Sequence, residues 1–280
     1  MARGRFRYEV MLKLWPLGKV ASRLGNLPLI GRLLAPLFRA EQNEAILLPI
    51  GQAIQGSESV VLPYPLLTPL VEGASARTIL HECLCRHVEG CQTYPRDVGC
   101  LFLGDGAAQI DGELGQRATA EEALAHVGRA MSAGLMPTIL HAALDAYLLD
   151  IPYRRMLTVC FCCNCCCTVR YGLRTGPQAF RDAVVRLPGL TVRVGEACTG
   201  CGECLSACDA EAMALYDGRA SADRRASVDE AQCKGCGRCA AACPVGAIEV
   251  RVADEAEVLG GLYARIARRT EIGLAGEGAA

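Results

Sequence analysis

The residues best placed to do chemistry in this sequence are its thiols. Two runs share one spacing: Cys198-Thr-Gly-Cys201-Gly-Glu-Cys204-Leu-Ser-Ala-Cys208 and Cys233-Lys-Gly-Cys236-Gly-Arg-Cys239-Ala-Ala-Ala-Cys243-Pro244. The first three cysteines of each run let a tight loop offer thiolates to three irons of one cluster, while the fourth iron must find its ligand elsewhere. Zinc is a poorer fit, because zinc ligands usually come as two separated pairs around one tetrahedral ion. Gly200 and Gly235 suit a backbone that must bring amide groups close to sulfur, where they help set a potential.

Over about residues 188–252 these runs and their flanks resemble the bacterial two-cluster ferredoxins. The resemblance implies two [4Fe-4S] cubanes in a βαββαβ-like domain, with the fourth cysteine of each run crossing to the other cluster. Carried over by residue, one cluster takes Cys198, Cys201, Cys204 and Cys243, and the other takes Cys233, Cys236, Cys239 and Cys208. One departure stands out: the first run ends Cys208-Asp209, where the resemblance leads one to expect proline, as at Pro244. On Coulomb grounds an acidic side chain there is expected to disfavour the reduced, more negative cluster.

Eighteen cysteines are present in all, so ten remain. Cys83, Cys85, Cys91 and Cys100 form one block, and Cys160, Cys162, Cys163, Cys165, Cys166 and Cys167 a second. Structural thiols rarely collect so densely, and at least one further iron-sulfur cluster is expected, held by one block or by both together. Zinc is the alternative, since Cys-x-Cys serves zinc as readily as iron. As a strand, the second block would put Cys163, Cys165 and Cys167 on one face; as a helix, it would gather Cys162, Cys163, Cys166 and Cys167. His81 and His87 bracket the Cys83-Cys85 pair and could ligate metal or hydrogen-bond to a cluster, or simply be satisfied neighbours. The doublets Cys162-Cys163 and Cys165-Cys166 resemble in part the doubled cysteines that hold noncubane clusters in heterodisulfide reductase catalytic subunits. Asn164 and Cys167 follow them where that family has glycine, so no activity is carried over. The layout as a whole looks like uncharacterised iron-sulfur proteins of anaerobic microbes.

Behind these ligands the pattern predicts an α+β chain in four parts: a basic amphipathic segment (1–40), a cysteine-rich, mainly helical domain (41–187), the ferredoxin domain (188–252), and a C-terminal helix and tail (253–280). Thr119 and Glu122 form a capping box opening a helix that runs to about Gly134, with Leu124, Val127 and Met131 on its apolar stripe and His126 beside it. Gln178–Leu187 reads as a short helix ended by Pro188, and Ala253–Ile272 as an amphipathic helix using Val258, Leu259, Leu262 and Ile266. In residues 1–40 Arg3, Arg5, Arg7, Lys13, Lys19, Arg23, Arg32 and Arg39 are opposed only by Glu9. Such a segment either lies on an anionic membrane surface, docks on a partner, or packs as a helix pair on its own domain.

With 280 residues, half of them hydrophobic, and a formal charge of -1, the chain reads as globular and not as a nucleic-acid binder. The N-terminus lacks an apolar region with a small-residue cleavage site, so the thiols are expected to be reduced, in a cytoplasmic protein that can associate with the membrane's inner face. Gly104-Asp105-Gly106 lacks the spacing of a dinucleotide-binding turn, so flavin or nicotinamide is expected on a partner oxidoreductase or redox protein. Three readings follow: a carrier of single low-potential electrons within an oxidoreductase system, a reductase subunit with an unusual catalytic cluster, or a protein that stores and delivers metal or clusters.

Overall fold

The computed structural model describes residues 2–34, 41–49, 63–216, 224–252 and 254–273. Its centre is a sheet of seven strands: β1 (Asn43–Leu47), β2 (Arg77–Leu80), β3 (Leu101–Leu103), β4 (Gly115–Arg117), β5 (Met136–Ala142), β6 (Leu157–Cys162) and β7 (Val184–Val185). They lie in the order β4-β2-β3-β6-β5-β1-β7, antiparallel throughout except where β7 runs parallel to β1. Successive side chains of a strand point to opposite faces, and both faces are covered here. Ile79, Leu101 and Leu103 enter one apolar core with Val127, while their neighbours Leu80 and Phe102 enter a second with Ala146, Leu149 and Met156.

The first face carries α3 (Pro63–Gly73) and α5 (Ala120–Ser132), the second α1 (Ala2–Leu24) and α6 (Ala143–Leu149). α5 forms as its sequence predicts: the Thr119 hydroxyl accepts from the Glu122 N–H at 3.2 Å and the Glu122 carboxylate accepts from the Thr119 N–H at 2.8 Å. α1 runs through Pro16 and packs on its own domain, with α2 (Pro28–Leu34) after it. Pro36 and Arg39 lie outside the described residues. Short helices α4 (Leu84–Val88), α7 (Thr168–Thr175) and α8 (Gln178–Ala183) complete this part.

One expectation is refined here and one corrected. Residues 41–187, read as mainly helical, do hold more helix than strand, but the sequence did not reveal the sheet on which those helices pack: strands of three to seven residues buried on both faces lack the alternation that marks a strand in sequence. The predicted helix Gln178–Leu187 stops at Ala183, because Val184 and Val185 pair with Ala45 and Ile46 of β1, and two β-branched residues fit a sheet edge better than a helix end.

Beyond Pro188 the chain runs β8 (Leu190–Val194), α9 (Glu203–Ala207), β9 (Met213–Tyr216), β10 (Arg225–Val228), α10 (Arg238–Ala241) and β11 (Ile248–Val252), two similar halves whose outer strands β8 and β11 pair, as do the inner β9 and β10. The last helix, α11 (Glu255–Ala267), starts at an Asp254 cap and returns to the large sheet. It buries Val258, Leu262 and Ile266 in the first core, and Arg265 and Arg269 reach Glu44 of β1 at 2.6 and 3.0 Å.

Candidate metal centres

Each half of the C-terminal unit curls its cysteine loop around a cavity. Cys198, Cys201 and Cys204 line one together with Cys243, which arrives from the second half. Cys233, Cys236 and Cys239 line the other with Cys208 from the first half. The sulfurs are met by main-chain N–H groups in matching places: Ala212 donates to Cys208 and Ala247 to Cys243 at 3.2 Å, while Ala226 donates to Cys198 and Gly235 to Cys233 at 3.4 Å. Gly200 and Gly235 hold φ of +67° and +68°; a Cβ at Gly200 would stand 2.4 Å from the Arg224 carbonyl oxygen. Burial and the neighbouring thiols Cys236, Cys233 and Cys208 push Cys239 up to about 12, and burial pushes Cys236 up to about 11. Sulfurs crowded out of water become thiolates only around a cation, and this donor set fits an iron-sulfur cluster.

Residues 197–247 match the 4Fe-4S dicluster domain family. The C-terminal unit is thus a ferredoxin-like, iron-sulfur-binding domain. Neither the curated proteins nor the solved structures give a match to the chain.

Asp209, next to Cys208 in this ferredoxin-like domain, does not present the bare negative charge anticipated from sequence. It is buried and paired: Arg170 of α7 grips it with both branches of its guanidinium, one contact at 2.8 Å, and Arg174 one turn further on adds a second cation. Arg170 also donates to the Cys163 carbonyl at 3.3 Å, tying the thiols of the N-terminal part to the ferredoxin-like domain. Arg238 of α10 is half-buried in the same region, facing Cys236, Asp209 and Cys162.

The other ten cysteines, spread over 85 positions of sequence, fall into two groups in space. The turn between β6 and α7 is the reason. β6 carries Cys160 and Cys162, the chain then turns through Cys163, Cys165 and Cys166, and Cys167 is the cap position of α7. Neither the all-strand nor the all-helix reading of this block holds.

The larger group is a ring of six. Cys83 sits against Cys85 and Cys100, Cys100 lies 3.4 Å from Cys160 and Cys162 lies 2.9 Å from Cys167. Cys160 faces Cys162, and Cys167 faces Cys85, closing the circle. Crowding raises five of these thiols, Cys83, Cys85, Cys100, Cys160 and Cys167. Its contact with Cys100 takes Cys83 to about 12; contact with Cys83 and then burial raise Cys85; contact with Cys162 and then burial raise Cys167. Tyr8 of α1 covers the ring, and burial together with Cys100, Cys83 and Cys85 raises its phenol.

The smaller group is Cys91, Cys163, Cys165 and Cys166, whose four sulfurs all lie within 4.8 Å of one another. Cys165 is exposed and the other three are buried. Burial pushes the Cys91 thiol up, but N–H groups of Tyr94 and Thr93 and the thiols of Cys166 and Cys165 more than offset it, leaving about 7. Burial likewise raises Cys163, and the N–H groups of Cys166 and Cys165 turn the balance downward.

Between the two groups lies Arg86, 1% exposed, donating to the carbonyls of Phe161 at 2.6 Å, Pro95 at 2.9 Å and Val98. Its charge faces Cys83, Cys100 and Cys163. Arg86 and Arg170 escaped the sequence reading because one buried arginine looks like any surface arginine; the available signal was only their nearness to the cysteine blocks. The histidines face elsewhere. His81 bonds to the Gly112 carbonyl at 3.0 Å and His87 to Glu82 at 2.5 Å, both exposed, while His126 and His141 are buried against the Gly99 and Tyr153 carbonyls at 2.8 Å.

Proposed function

We propose that this chain is a carrier of single low-potential electrons, with two [4Fe-4S] clusters in the ferredoxin-like domain and a further iron-sulfur cluster in the six-thiol ring. One set of ligands is Cys198, Cys201, Cys204 and Cys243, and the other Cys233, Cys236, Cys239 and Cys208. The supporting observation is that each of the two cavities is completed by a cysteine from the opposite half. When bound, such clusters supply reversible one-electron chemistry at low potential.

The protein's own part is to hold, screen and tune. Main-chain N–H groups directed at Cys208 and Cys243 stabilise thiolate charge. Arg170 and Arg174 neutralise Asp209, so the acid beside Cys208 does not oppose added negative charge. The apolar core is continuous from Cys162 and Cys167 to Cys204 and Cys239, which keeps water out of the space between the ring and the ferredoxin-like domain. Among the described residues a cleft lined by His81, Asp97, Glu122, His126 and Arg129 contains none of the cysteines. The electron donor or acceptor is then a partner redox protein.

Contact with an anionic bilayer surface is part of the same proposal. Phe6, Val10, Leu14, Leu17, Val20 and Leu24 form an exposed apolar stripe along the outer side of α1, with Lys13, Arg23 and Arg32 exposed among them and in α2. No helix among the described residues is long and apolar enough to cross a membrane.

Anaerobic iron and sulfide analysis tests the cluster assignment. About eight irons are expected from the ferredoxin-like domain and about twelve or more from the chain, at four per cubane. Zinc in place of iron, or iron-linked absorbance that fails to bleach on reduction, would overturn it.

A further inference from the structure

The two N-terminal thiol groups differ in scale, and that difference points to different occupants. A metal ion bonded to four thiolates at about 2.3 Å sets its sulfurs at the corners of a tetrahedron with edges of about 3.8 Å. A cubane instead interposes four irons, each with its own outward thiolate, and its ligands stand further apart. Close pairs of sulfurs occur in both groups, Cys165 and Cys166 at 3.4 Å in the quartet and Cys100 and Cys160 at 3.4 Å in the ring, but only in the quartet do four sulfurs all fit within 4.8 Å of one another. Among the described residues no other set of three or more cysteines, histidines or acids is so compact. That comparison includes both quartets of the ferredoxin-like domain and the ring of six, so the same chain supplies its own standard for a cluster-sized site.

From this geometry we infer that Cys91, Cys163, Cys165 and Cys166 bind one thiophilic divalent ion, zinc or iron, as a mononuclear tetrathiolate centre separate from any iron-sulfur cluster. The main chain is shaped for it. Cys163 and Cys166 are three positions apart across a tight turn, and the Cys166 N–H donates to the Cys163 sulfur at 3.2 Å. N–H groups of Thr93 and Tyr94 meet Cys91 in the same way, two and three positions on. Amides directed at sulfur from the turn that follows it lower the cost of gathering four thiolates. Four thiolates around a divalent ion leave two negative charges, and Arg86 and Arg170 stand on the inner side to balance them: Arg86 faces Cys163, and Arg170 holds its carbonyl. Cys165 lies at the surface, giving an ion a way in. The centre joins the β6–α7 turn to the loop after α4.

Metal and acid-labile sulfide counts on the intact, anaerobically purified chain test this inference. Clusters of the cubane type contribute iron and sulfide equally. Total iron plus zinc is expected to exceed sulfide by one atom per chain. In the double variant Cys91→Ser/Cys166→Ser the excess should vanish while sulfide and the cluster signals of the reduced protein stay unchanged. Equality of metal and sulfide in the wild type, or loss of several irons with their sulfide in the variant, would refute a mononuclear centre. If the variant is insoluble, the wild type decides by spectroscopy. Four sulfurs at about 2.3 Å with no second metal nearby at the zinc edge, or the high-spin ferric signal of an isolated tetrathiolate iron after oxidation, supports the inference; absence of both defeats it. Failure here leaves the two clusters of the ferredoxin-like domain untouched, because their signals are read separately.

Discussion

Replacing Arg170 by methionine removes a buried cation while leaving Asp209 charged beside Cys208. Arg170 and Asp209 are 6% and 5% exposed, and breaking such a pair costs about 3–5 kcal/mol because one charge remains in a poorly solvating interior. Arg174 keeps its contact with Asp209 and is half exposed, so the lower end of that range is expected. The electrochemical effect is more specific. One unit of positive charge removed at roughly 8 Å, at an effective dielectric near 20, is worth about 2 kcal/mol. For a one-electron couple this is about 90 mV, and its sign is negative, since adding an electron becomes harder once a nearby cation is gone. A potentiometric titration followed by electron paramagnetic resonance should find one of the two cluster potentials lowered by that order and the other nearly unmoved. Arg170→Met/Asp209→Asn should return it most of the way. A shift under one third of that size, or equal shifts in both clusters, would show that the pair does not set the potential at Cys208 and that the Coulomb reasoning is wrong.

Four other outcomes are expected. Arg86→Leu leaves three main-chain carbonyls without donors and should destabilise the chain by about 3 kcal/mol or more, measured by thermal melting, with loss of metal from both N-terminal groups. Burial holds His126 and His141 below the ordinary histidine value, so the unfolded chain takes up protons first as pH falls; stability should be full above about pH 6.5 and decline below it, and His126→Gln should flatten that decline in denaturation curves. Thr119→Ala removes the α5 cap and should cost about 1 kcal/mol without changing iron content. Leu17→Glu/Val20→Glu, in the exposed stripe of α1, should abolish co-sedimentation with vesicles containing anionic lipid while leaving the absorption spectrum intact; equal binding by variant and wild type would remove the bilayer from the proposal.

The ferredoxin-like domain was legible in the sequence because its ligands are local: three cysteines of each set sit on one loop, and the fourth follows at a fixed step. The α5 helix was legible for a similar reason, since Thr119 and Glu122 meet within one turn. The N-terminal thiols were not, because their grouping depends on long-range strand pairing. Cys100 meets Cys160 only because Leu101 pairs with Val159, and no local pattern encodes that register. The same limit hid the partners of Asp209: Arg170 lies 39 positions away on another element. Very short strands such as β3, buried throughout, and the two-residue β7 gave no period to read.

The eight positions from Cys160 to Cys167 serve two destinations, the ends facing the ring and the middle facing the quartet. Deleting Asn164 would therefore do more than shorten a turn. It would shift the phase of every thiol after it, so that a sulfur meant for one compartment arrives at the other. Such a stretch tolerates exchange of side chains far better than any change of length.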